Sequence, residues 1–246
     1  MTSAQATCDE ILRGRLRLWQ PSLGYRFNVD SLLLVDFAAQ GTQVARVVDL
    51  CAGVGVIGLA LAVRWPEARV TLAELQTEMA GLARRNIEEN RLAERADLVQ
   101  TDLANRAAAR AALPGASFDL ALASPPYFSP SAGPPVSLEG EAIARHELRI
   151  DIATLAQEMR RLLVPGGRSL VVFPSERLVA LLAAFAGARL QPLRLRFVYP
   201  RPGSTASRVL VEAQKGSRGP LVVEPPLLVR DEKGHYTEEA RRALGD

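Results

Sequence analysis

The stretch Arg46-Val-Val-Asp-Leu-Cys-Ala-Gly-Val-Gly-Val-Ile-Gly58 decides the fold of this chain. Its first five residues, which include two valines and a leucine, predict a buried strand, and residues 53–65 predict a helix that stops at Pro66. Glycines between a strand and a helix let the backbone turn tightly and approach a ligand, and the start of the helix offers unpaired N–H groups. The stretch therefore predicts a ligand-binding strand–turn–helix unit.

The same alternation continues along the chain and predicts the fold class. Further strands are predicted at 69–73, 97–100, 117–123 and 169–173, with helices at 76–90, 150–163 and 176–186. Strands that alternate with helices form a parallel, doubly wound sheet. Two more extended runs, 190–199 and 207–214, have no helix between them, which predicts an antiparallel hairpin. We expect an α/β, Rossmann-like sheet of seven strands, mostly parallel, with this C-terminal hairpin at one end and helices on both faces.

Composition sets the class of protein. The chain has 246 residues, of which 48% are hydrophobic, so it can bury a core of one domain. We expect a single domain over residues 1–246, in which segment 1–45 packs on a core formed by 46–246. Its apolar runs are far shorter than the roughly 20 residues that span a bilayer, and it lacks a signal-peptide pattern. The two cysteines have no metal-ligand spacing, so neither a metal site nor a disulfide framework is expected, and a cytoplasmic protein is predicted.

Acidic residues stand at three successive strand ends: Asp49, Glu74 and Asp102. Ligands of open α/β sheets bind at this edge, and an acid after the second strand accepts hydrogen bonds from ribose hydroxyls. Asp49 suits a cationic or amino-bearing ligand, because a buried carboxylate there would repel a pyrophosphate. Asp102 has two interpretations of equal weight, a contact to the amino group of adenine and a helix N-cap.

The glycine spacing leaves two other interpretations open. Gly53-x-Gly55-x-x-Gly58 matches the dinucleotide fingerprint, which would indicate a nicotinamide-dependent oxidoreductase. It is also compatible with a turn that serves only the packing of strand and helix.

The tetrapeptide Ser124-Pro-Pro-Tyr127 follows the fourth predicted strand of the core. Two prolines make the segment stiff and remove two N–H donors, which leaves carbonyl oxygens free to accept hydrogen bonds. The Ser124 hydroxyl and the Pro125 carbonyl would accept from an amino group while Tyr127 stacks on a planar ring. The alternative is a proline-rich turn whose tyrosine belongs to the core.

With these residues, the chain resembles the class I S-adenosylmethionine-dependent methyltransferases. Asp49-x-x-x-Gly53-x-Gly55, Glu74, Asp102 and the Ser124–Tyr127 form of the amino-methyltransferase signature carry the resemblance. Over nearly its whole length it is similar to the bacterial tRNA1(Val) adenine-37 N6-methyltransferase family. The segments that match are Gly24-Tyr-Arg-Phe-Asn-Val-Asp30, Ala144-Arg-His-Glu147, Val209-Leu-Val-Glu-Ala-Gln-Lys-Gly216, Glu224-Pro-Pro-Leu227 and His235-Tyr-Thr-Glu238.

The resemblance implies a site and a reaction. S-adenosyl-L-methionine would be bound by Asp49, Gly53, Gly55, Glu74 and Asp102, with Asn28 and Asp30 at its methionine end; Asp30 could instead cap a helix over 31–39. Ser124, Pro125, Pro126 and Tyr127 would hold the amino group of an adenine in tRNA. Serine stands at position 124, where this family usually has asparagine. Serine is common there in DNA cytosine methyltransferases, but in those the tetrapeptide precedes the glycine loop, so adenine is favoured.

Charge indicates a nucleic-acid partner. Residues 189–218 carry seven basic residues against one acidic residue, whereas the whole chain has a net charge of +3. Such a segment is typical of a surface that follows phosphates, or of the solvated outer face of a hairpin. The residues expected to contact tRNA are Arg194, Arg196, Arg201, Arg208 and Lys215. The alternative acceptors are a guanine in rRNA, an adenine or cytosine in DNA, and a glutamine in a protein.

Overall fold

The computed structural model of the chain describes residues 6–23, 26–125 and 150–245. The elements of its first half are β1 (Ala6–Ile11), β2 (Leu16–Pro21), α1 (Val29–Ala39), β3 (Arg46–Leu50), α2 (Val56–Arg64), β4 (Arg69–Glu74), α3 (Thr77–Glu89), β5 (Ala96–Gln100), α4 (Arg106–Ala112) and β6 (Phe118–Ala123). The elements of its second half are α5 (Ile152–Leu162), β7 (Leu163–Pro174), α6 (Leu178–Gly187), β8 (Leu190–Tyr199), β9 (Arg208–Lys215), β10 (Val222–Val223), β11 (Leu227–Leu228) and α7 (Glu238–Leu244), with a 3₁₀ turn at Ser175–Arg177.

The main sheet has the strand order β10-β8-β9-β7-β6-β3-β4-β5, and β11 also pairs with β8. The five strands β3 to β7 form the parallel part of the sheet. Strand β9 is antiparallel to both β7 and β8. The predicted mostly parallel sheet with a C-terminal hairpin is therefore confirmed. Strands β10 and β11 have two residues each, and a run of this length is too short to be predicted as a strand from the sequence pattern.

The core lies on both faces of this sheet. Successive strand residues point to opposite faces, so Val47 packs among α1 and α2 whereas its neighbour Val48 packs among α4 and α5. In β6, Leu120 likewise belongs to the core on the first face and Ala121 to the core on the second face. Helices cover both faces, as the sequence predicts. Among the described residues, none of the helices has the length and apolar character needed to cross a membrane.

Two element boundaries differ from the prediction by more than two residues, and glycines explain both. Helix α2 begins at Val56 rather than Gly53, because Gly53 (φ +56°) and Gly55 (φ +88°) adopt the left-handed conformation and form the turn. Strand β7 begins at Leu163, directly after α5, rather than at Ser169, and it includes the Pro165-Gly166-Gly167 triplet. The pairing of β6 with β7 shifts register across this triplet, so the strand bulges instead of ending.

The N-terminal segment contains strands that the sequence analysis did not predict. Strands β1 and β2 form a two-stranded antiparallel hairpin separate from the main sheet. The hairpin lies against α3, where side chains of that helix bind its backbone. This contact places the N-terminal hairpin against the C-terminal end of α3.

Candidate active site

Strand register aligns the ends of four parallel strands. Leu50 pairs with Ala73 on one side and with Ala123 on the other, and Glu74 pairs with Gln100. The residues at or just beyond these ends are therefore neighbours along one edge, with strands about 4.8 Å apart. They are Cys51, Glu74, Thr101 and Ser124, and all four line one cleft. This strand-end cleft lies where the strand order reverses between β3 and β6, the place at which open α/β sheets bind ligands.

The glycine turn, residues 51–55, forms one wall of the strand-end cleft. A Cβ added to Gly53 would meet no heavy atom within 4 Å, so this glycine leaves open space beside its backbone. A Cβ at Gly55 or Gly58 would instead lie 2.7 Å or 2.3 Å from a methyl group of Leu72. Gly58 thus serves helix packing, whereas Gly53 lets a ligand approach the backbone.

Glu74 fixes this turn and faces the cleft. One carboxylate oxygen accepts a hydrogen bond from the Gly53 N–H and the other accepts from the Gln76 N–H, each at 2.8 Å. The side chain is buried, yet Glu74 lines the cleft. Because each carboxylate oxygen has more than one acceptor position, both retain capacity for ligand hydroxyls.

Asp49 lies behind the turn and is not among the residues that line the cleft. Its Oδ2 accepts from the Gly58 N–H at 2.9 Å, and its Oδ1 is buried with no hydrogen-bond partner among the described residues. Burial raises the pKa of Asp49 from 3.8 to about 7; the Gly58 N–H acts against this rise, and the charge of Glu74 adds to it. The carboxyl group therefore anchors the start of α2 from the interior.

Asp102 and Thr101 lie at the β5 end of the cleft. The helix N-cap interpretation of Asp102 is wrong, because α4 is capped by the Asn105 side chain; Asp102 instead accepts from the Ala104 N–H at 2.9 Å. The hydroxyl of Thr101 is buried and has no hydrogen-bond partner among the described residues. This end of the cleft thus offers polar groups beside the apolar side chain of Leu103.

Ser124 occupies the other end of the row. It is half-buried, lines the cleft and makes no side-chain hydrogen bond to the residues that the structure describes. Pro125 beside it is buried. Pro126 and Tyr127, the rest of the predicted amino-binding tetrapeptide, lie outside the described residues. Ser124, the first residue of the tetrapeptide, therefore lines the same cleft as Glu74.

The N-terminal site residues are placed differently from the prediction. Asn28 is the N-cap of α1, and its side chain accepts from the Asp30 N–H at 3.0 Å. Asp30 accepts from the Arg208 guanidinium at 2.8 Å, so it pairs with a strand of the main sheet and does not cap the helix. Neither residue lines the strand-end cleft, but their neighbours Phe27 and Ser31 do.

The apolar wall of the cleft was missed by the sequence analysis. It includes Leu75, Met79 and Leu103. Leu75 directly follows Glu74, and Leu103 directly follows Asp102. Their positions next to the strand-end acids could therefore have indicated that they line the cleft. Cys51 also lines the cleft; burial, aided by the charges of Glu74 and Asp49, raises the pKa of its thiol, which favours the neutral form.

The basic residues of 189–218 do not form one surface. Arg194 binds Glu212 and Glu224, and Arg196 is buried against Glu239, so both cations are neutralised within the fold. The Lys215 ammonium donates to the Leu163 carbonyl at the opposite edge of the sheet from the cleft. The expectation that these three side chains contact tRNA is therefore corrected. Arg208 pairs with Asp30, and Arg201 is exposed in the β8–β9 loop.

Comparisons with known proteins agree with this geometry. The family model of the methyltransferase small domain matches residues 27–139. A protein of Aeromonas hydrophila subsp. hydrophila named tRNA1(Val) (adenine(37)-N6)-methyltransferase is 30% identical over 192 residues, which cover 78% of this chain and 77% of that protein. A protein of the same name from Porphyromonas gingivalis is 28% identical over 232 residues, covering 92% of this chain and 89% of that protein.

A solved structure of a methyltransferase has the same fold. The crystal structure of Atu636 from Agrobacterium tumefaciens, described as a predicted O-methyltransferase, superposes with a TM-score of 0.71 at 30% sequence identity. The match covers 87% of this chain and 95% of that chain. The chain therefore belongs to the family of the bacterial tRNA1(Val) (adenine(37)-N6)-methyltransferases, and it is an enzyme that uses S-adenosylmethionine as its methyl donor.

Proposed function

We propose that this enzyme transfers a methyl group to the exocyclic amino group of an adenine in tRNA. The observation that carries the proposal is the position of Ser124. Its hydroxyl has no hydrogen-bond partner among the described residues, its side chain lines the strand-end cleft, and it begins the Ser-Pro-Pro-Tyr signature of amino-group methyltransferases. The names of the curated relatives support tRNA as the substrate.

The strand-end cleft fits an adenosine-containing cofactor. The open side of Gly53 gives room for close contact with the backbone, and the spare acceptor positions of Glu74 suit the two ribose hydroxyls. Leu75, Met79 and Leu103 supply an apolar wall for a flat base, with Asp102 beside them for its amino group. When bound, S-adenosylmethionine supplies an electrophilic methyl group on a sulfonium centre.

Ser124 and Pro125 would prepare the acceptor nitrogen. The lone pair of an aromatic amino group is delocalised into the ring, which makes the nitrogen a poor nucleophile. Hydrogen bonds from its two N–H groups to the Ser124 hydroxyl and the Pro125 carbonyl favour a pyramidal nitrogen with a localised lone pair. Catalysis then rests on orientation and hydrogen bonding, and the acidic product cation releases its proton to water.

An arginine rim at the same edge of the sheet as the cleft suits RNA phosphates. We define this rim as Arg177, which follows β7, and Arg201, which follows β8. Because β7 and β8 are each antiparallel to β9, they run parallel to each other, and both arginines lie at the same edge of the sheet as Ser124. The Ser175 N–H donates to the Ser207 carbonyl at 3.3 Å, which ties the two segments together.

The arginine rim is free to bind an external anion. Neither guanidinium forms an ion pair with any residue that the structure describes; Arg177 stacks only over the Phe173 ring, 5.1 Å from its centroid. This differs from Arg194, Arg196 and Arg208, whose charges are paired internally. Bases must leave their stack to enter such a site, which costs least in a single-stranded loop such as those of tRNA.

A transfer assay over several substrates tests the proposal. The purified enzyme is incubated with S-adenosylmethionine labelled in its methyl group and with separated tRNA, rRNA, DNA and protein. We expect label in tRNA that lacks the modification. Label confined to rRNA, DNA or protein would contradict the proposal, and label on a sugar or other oxygen would favour the oxygen chemistry named for Atu636.

A further inference from the structure

Two asparagines bind the N-terminal hairpin as a neighbouring strand would: Asn86 lies in α3, and Asn90 is its C-cap. Asn90 accepts from the Arg17 N–H at 2.8 Å and donates to the Arg17 carbonyl at 2.7 Å. Asn86 accepts from the Trp19 N–H at 2.6 Å and donates to the Trp19 carbonyl at 3.0 Å. The spacing fits, because four helical residues rise about 6 Å and two strand residues rise about 7 Å. The side-chain amides thus complete the edge of β2 that β1 leaves open.

Asn86 makes one further bond that Asn90 does not. Its amide nitrogen also donates to the Val54 carbonyl at 2.9 Å, and the side chain is fully buried. Val54 lies in the glycine turn and lines the strand-end cleft. Both amide hydrogens of Asn86 are therefore used, one by the hairpin and one by the turn.

The glycine turn is held from two sides. The Gly53 N–H is bound by Glu74 on the strand side, and the carbonyl of the next residue, Val54, is bound by Asn86 on the helix side. Glycine residues lose more conformational entropy on ordering than other residues, so a turn with two left-handed glycines needs such contacts to keep one shape. The bonds to Trp19 fix the orientation of the Asn86 amide toward the turn.

We infer that Asn86 is a positioning residue that holds the glycine turn in the conformation that binds the cofactor, with the N-terminal hairpin orienting its amide. The inference rests on the cofactor and does not depend on which base is methylated. Loss of the donor to Val54 leaves a buried carbonyl unsatisfied, which weakens cofactor binding without touching the groups that would contact the acceptor base.

The test compares Asn86 variants with a matched Asn90 variant. Asn86→Asp keeps the size of the side chain and the acceptor for Trp19 but removes both donors; Asn86→Leu removes all three bonds. Asn90→Leu breaks equivalent bonds to the hairpin and leaves the turn contact intact. For each protein, calorimetry gives the dissociation constant of S-adenosylhomocysteine, hydrogen exchange of the ligand-free protein reports the amides of the turn, and thermal melting reports folding.

We expect both Asn86 variants to bind S-adenosylhomocysteine about tenfold more weakly, the effect of losing one buried hydrogen bond. Hydrogen exchange of the backbone amides of the glycine turn should become faster. At saturating cofactor, kcat should stay within about threefold of the wild-type value, so that the substitution acts mainly by raising KM for the cofactor. Asn90→Leu should melt at a lower temperature yet bind within about twofold of the wild type. Unchanged binding in folded Asn86 variants, or an equal loss in Asn90→Leu, would overturn the inference.

Discussion

The backbone N–H of Gly53 donates a 2.8 Å hydrogen bond to the carboxylate of Glu74. This bond joins the turn after β3 to the end of β4. Ala52 adds a second link, because its N–H donates to the Ala73 carbonyl at 3.1 Å. The carboxylate that would bind the ribose of the cofactor therefore also sets the shape of the turn against which the cofactor lies.

Replacing Glu74 by glutamine should weaken cofactor binding. A glutamine offers one acceptor oxygen where the carboxylate offers two, and its amide nitrogen would face one of the two backbone N–H groups that Glu74 now accepts from. We expect the dissociation constant of S-adenosylhomocysteine, measured by calorimetry, to rise by about ten- to a hundredfold. The exposed Glu88→Gln variant on α3 is the control and should bind as the wild type does. Equal affinity of the two variants would contradict the assignment of Glu74.

Replacing Ser124 should separate catalysis from cofactor binding. Ser124→Ala removes one of the two acceptors for the amino group, and we expect single-turnover methylation to slow by about ten- to a hundredfold while the affinity for S-adenosylhomocysteine stays within about twofold. Ser124→Asn restores an acceptor oxygen and should recover most of the rate. An alanine variant with full activity would show that the Ser124 hydroxyl does not contact the acceptor.

Asp49 should make the stability of the fold depend on pH. Because its pKa rises from 3.8 to about 7 on folding, the folded protein keeps a proton between these values that the unfolded chain has released. The free energy of unfolding should therefore fall as pH rises through this window and level off above it. At about 1.4 kcal/mol per pKa unit, the total fall is up to about 4 kcal/mol.

Asp49→Asn should remove this dependence, since an amide does not titrate. Urea unfolding at pH 5 and pH 8 checks the prediction. The free energy of unfolding of the variant, minus that of the wild type, should be larger at pH 8 than at pH 5. The amide oxygen of the variant still accepts a hydrogen bond from the Gly58 N–H. A difference between the two proteins that is the same at both pH values would mean that Asp49 titrates normally in the folded state.

The arginine rim should contribute to RNA affinity through phosphates. Replacing both Arg177 and Arg201 by alanine should weaken tRNA binding by about tenfold or more at moderate salt, and it should lower the slope of log affinity against log salt by about two. Filter binding or fluorescence anisotropy at several salt concentrations measures both quantities. Arg218→Ala, an exposed arginine beyond the opposite end of β9, is the control. A double variant with the slope of the wild type would exclude the rim from the RNA contact.

Much of the fold followed from the sequence because its strands are apolar runs with clear ends. The Asp49-to-Gly58 stretch, Glu74 and Ser124 could be assigned to one sheet edge from chain order alone, since parallel strands end on the same side. The N-terminal hairpin could not be predicted, because its stability depends on Asn86 and Asn90, which are far away in the sequence.

Charge pattern was the weakest guide. Arg194 and Arg196 carry the composition of a nucleic-acid surface, yet their partners Glu212, Glu224 and Glu239 come from other segments of the chain. A count along the sequence cannot detect such pairing. Arg177 shows the converse: it lies outside the basic segment, but the topology brings it to the edge of the sheet that holds Ser124.

Mass spectrometry of nucleosides is the most direct test of the central claim. Unmodified tRNA is incubated with the enzyme and S-adenosylmethionine, digested to nucleosides and analysed. The account predicts N6-methyladenosine as the new product, formed with the wild type and strongly reduced with Ser124→Ala. A product methylated on guanine, cytosine or a ribose oxygen, with no N6-methyladenosine, would contradict it.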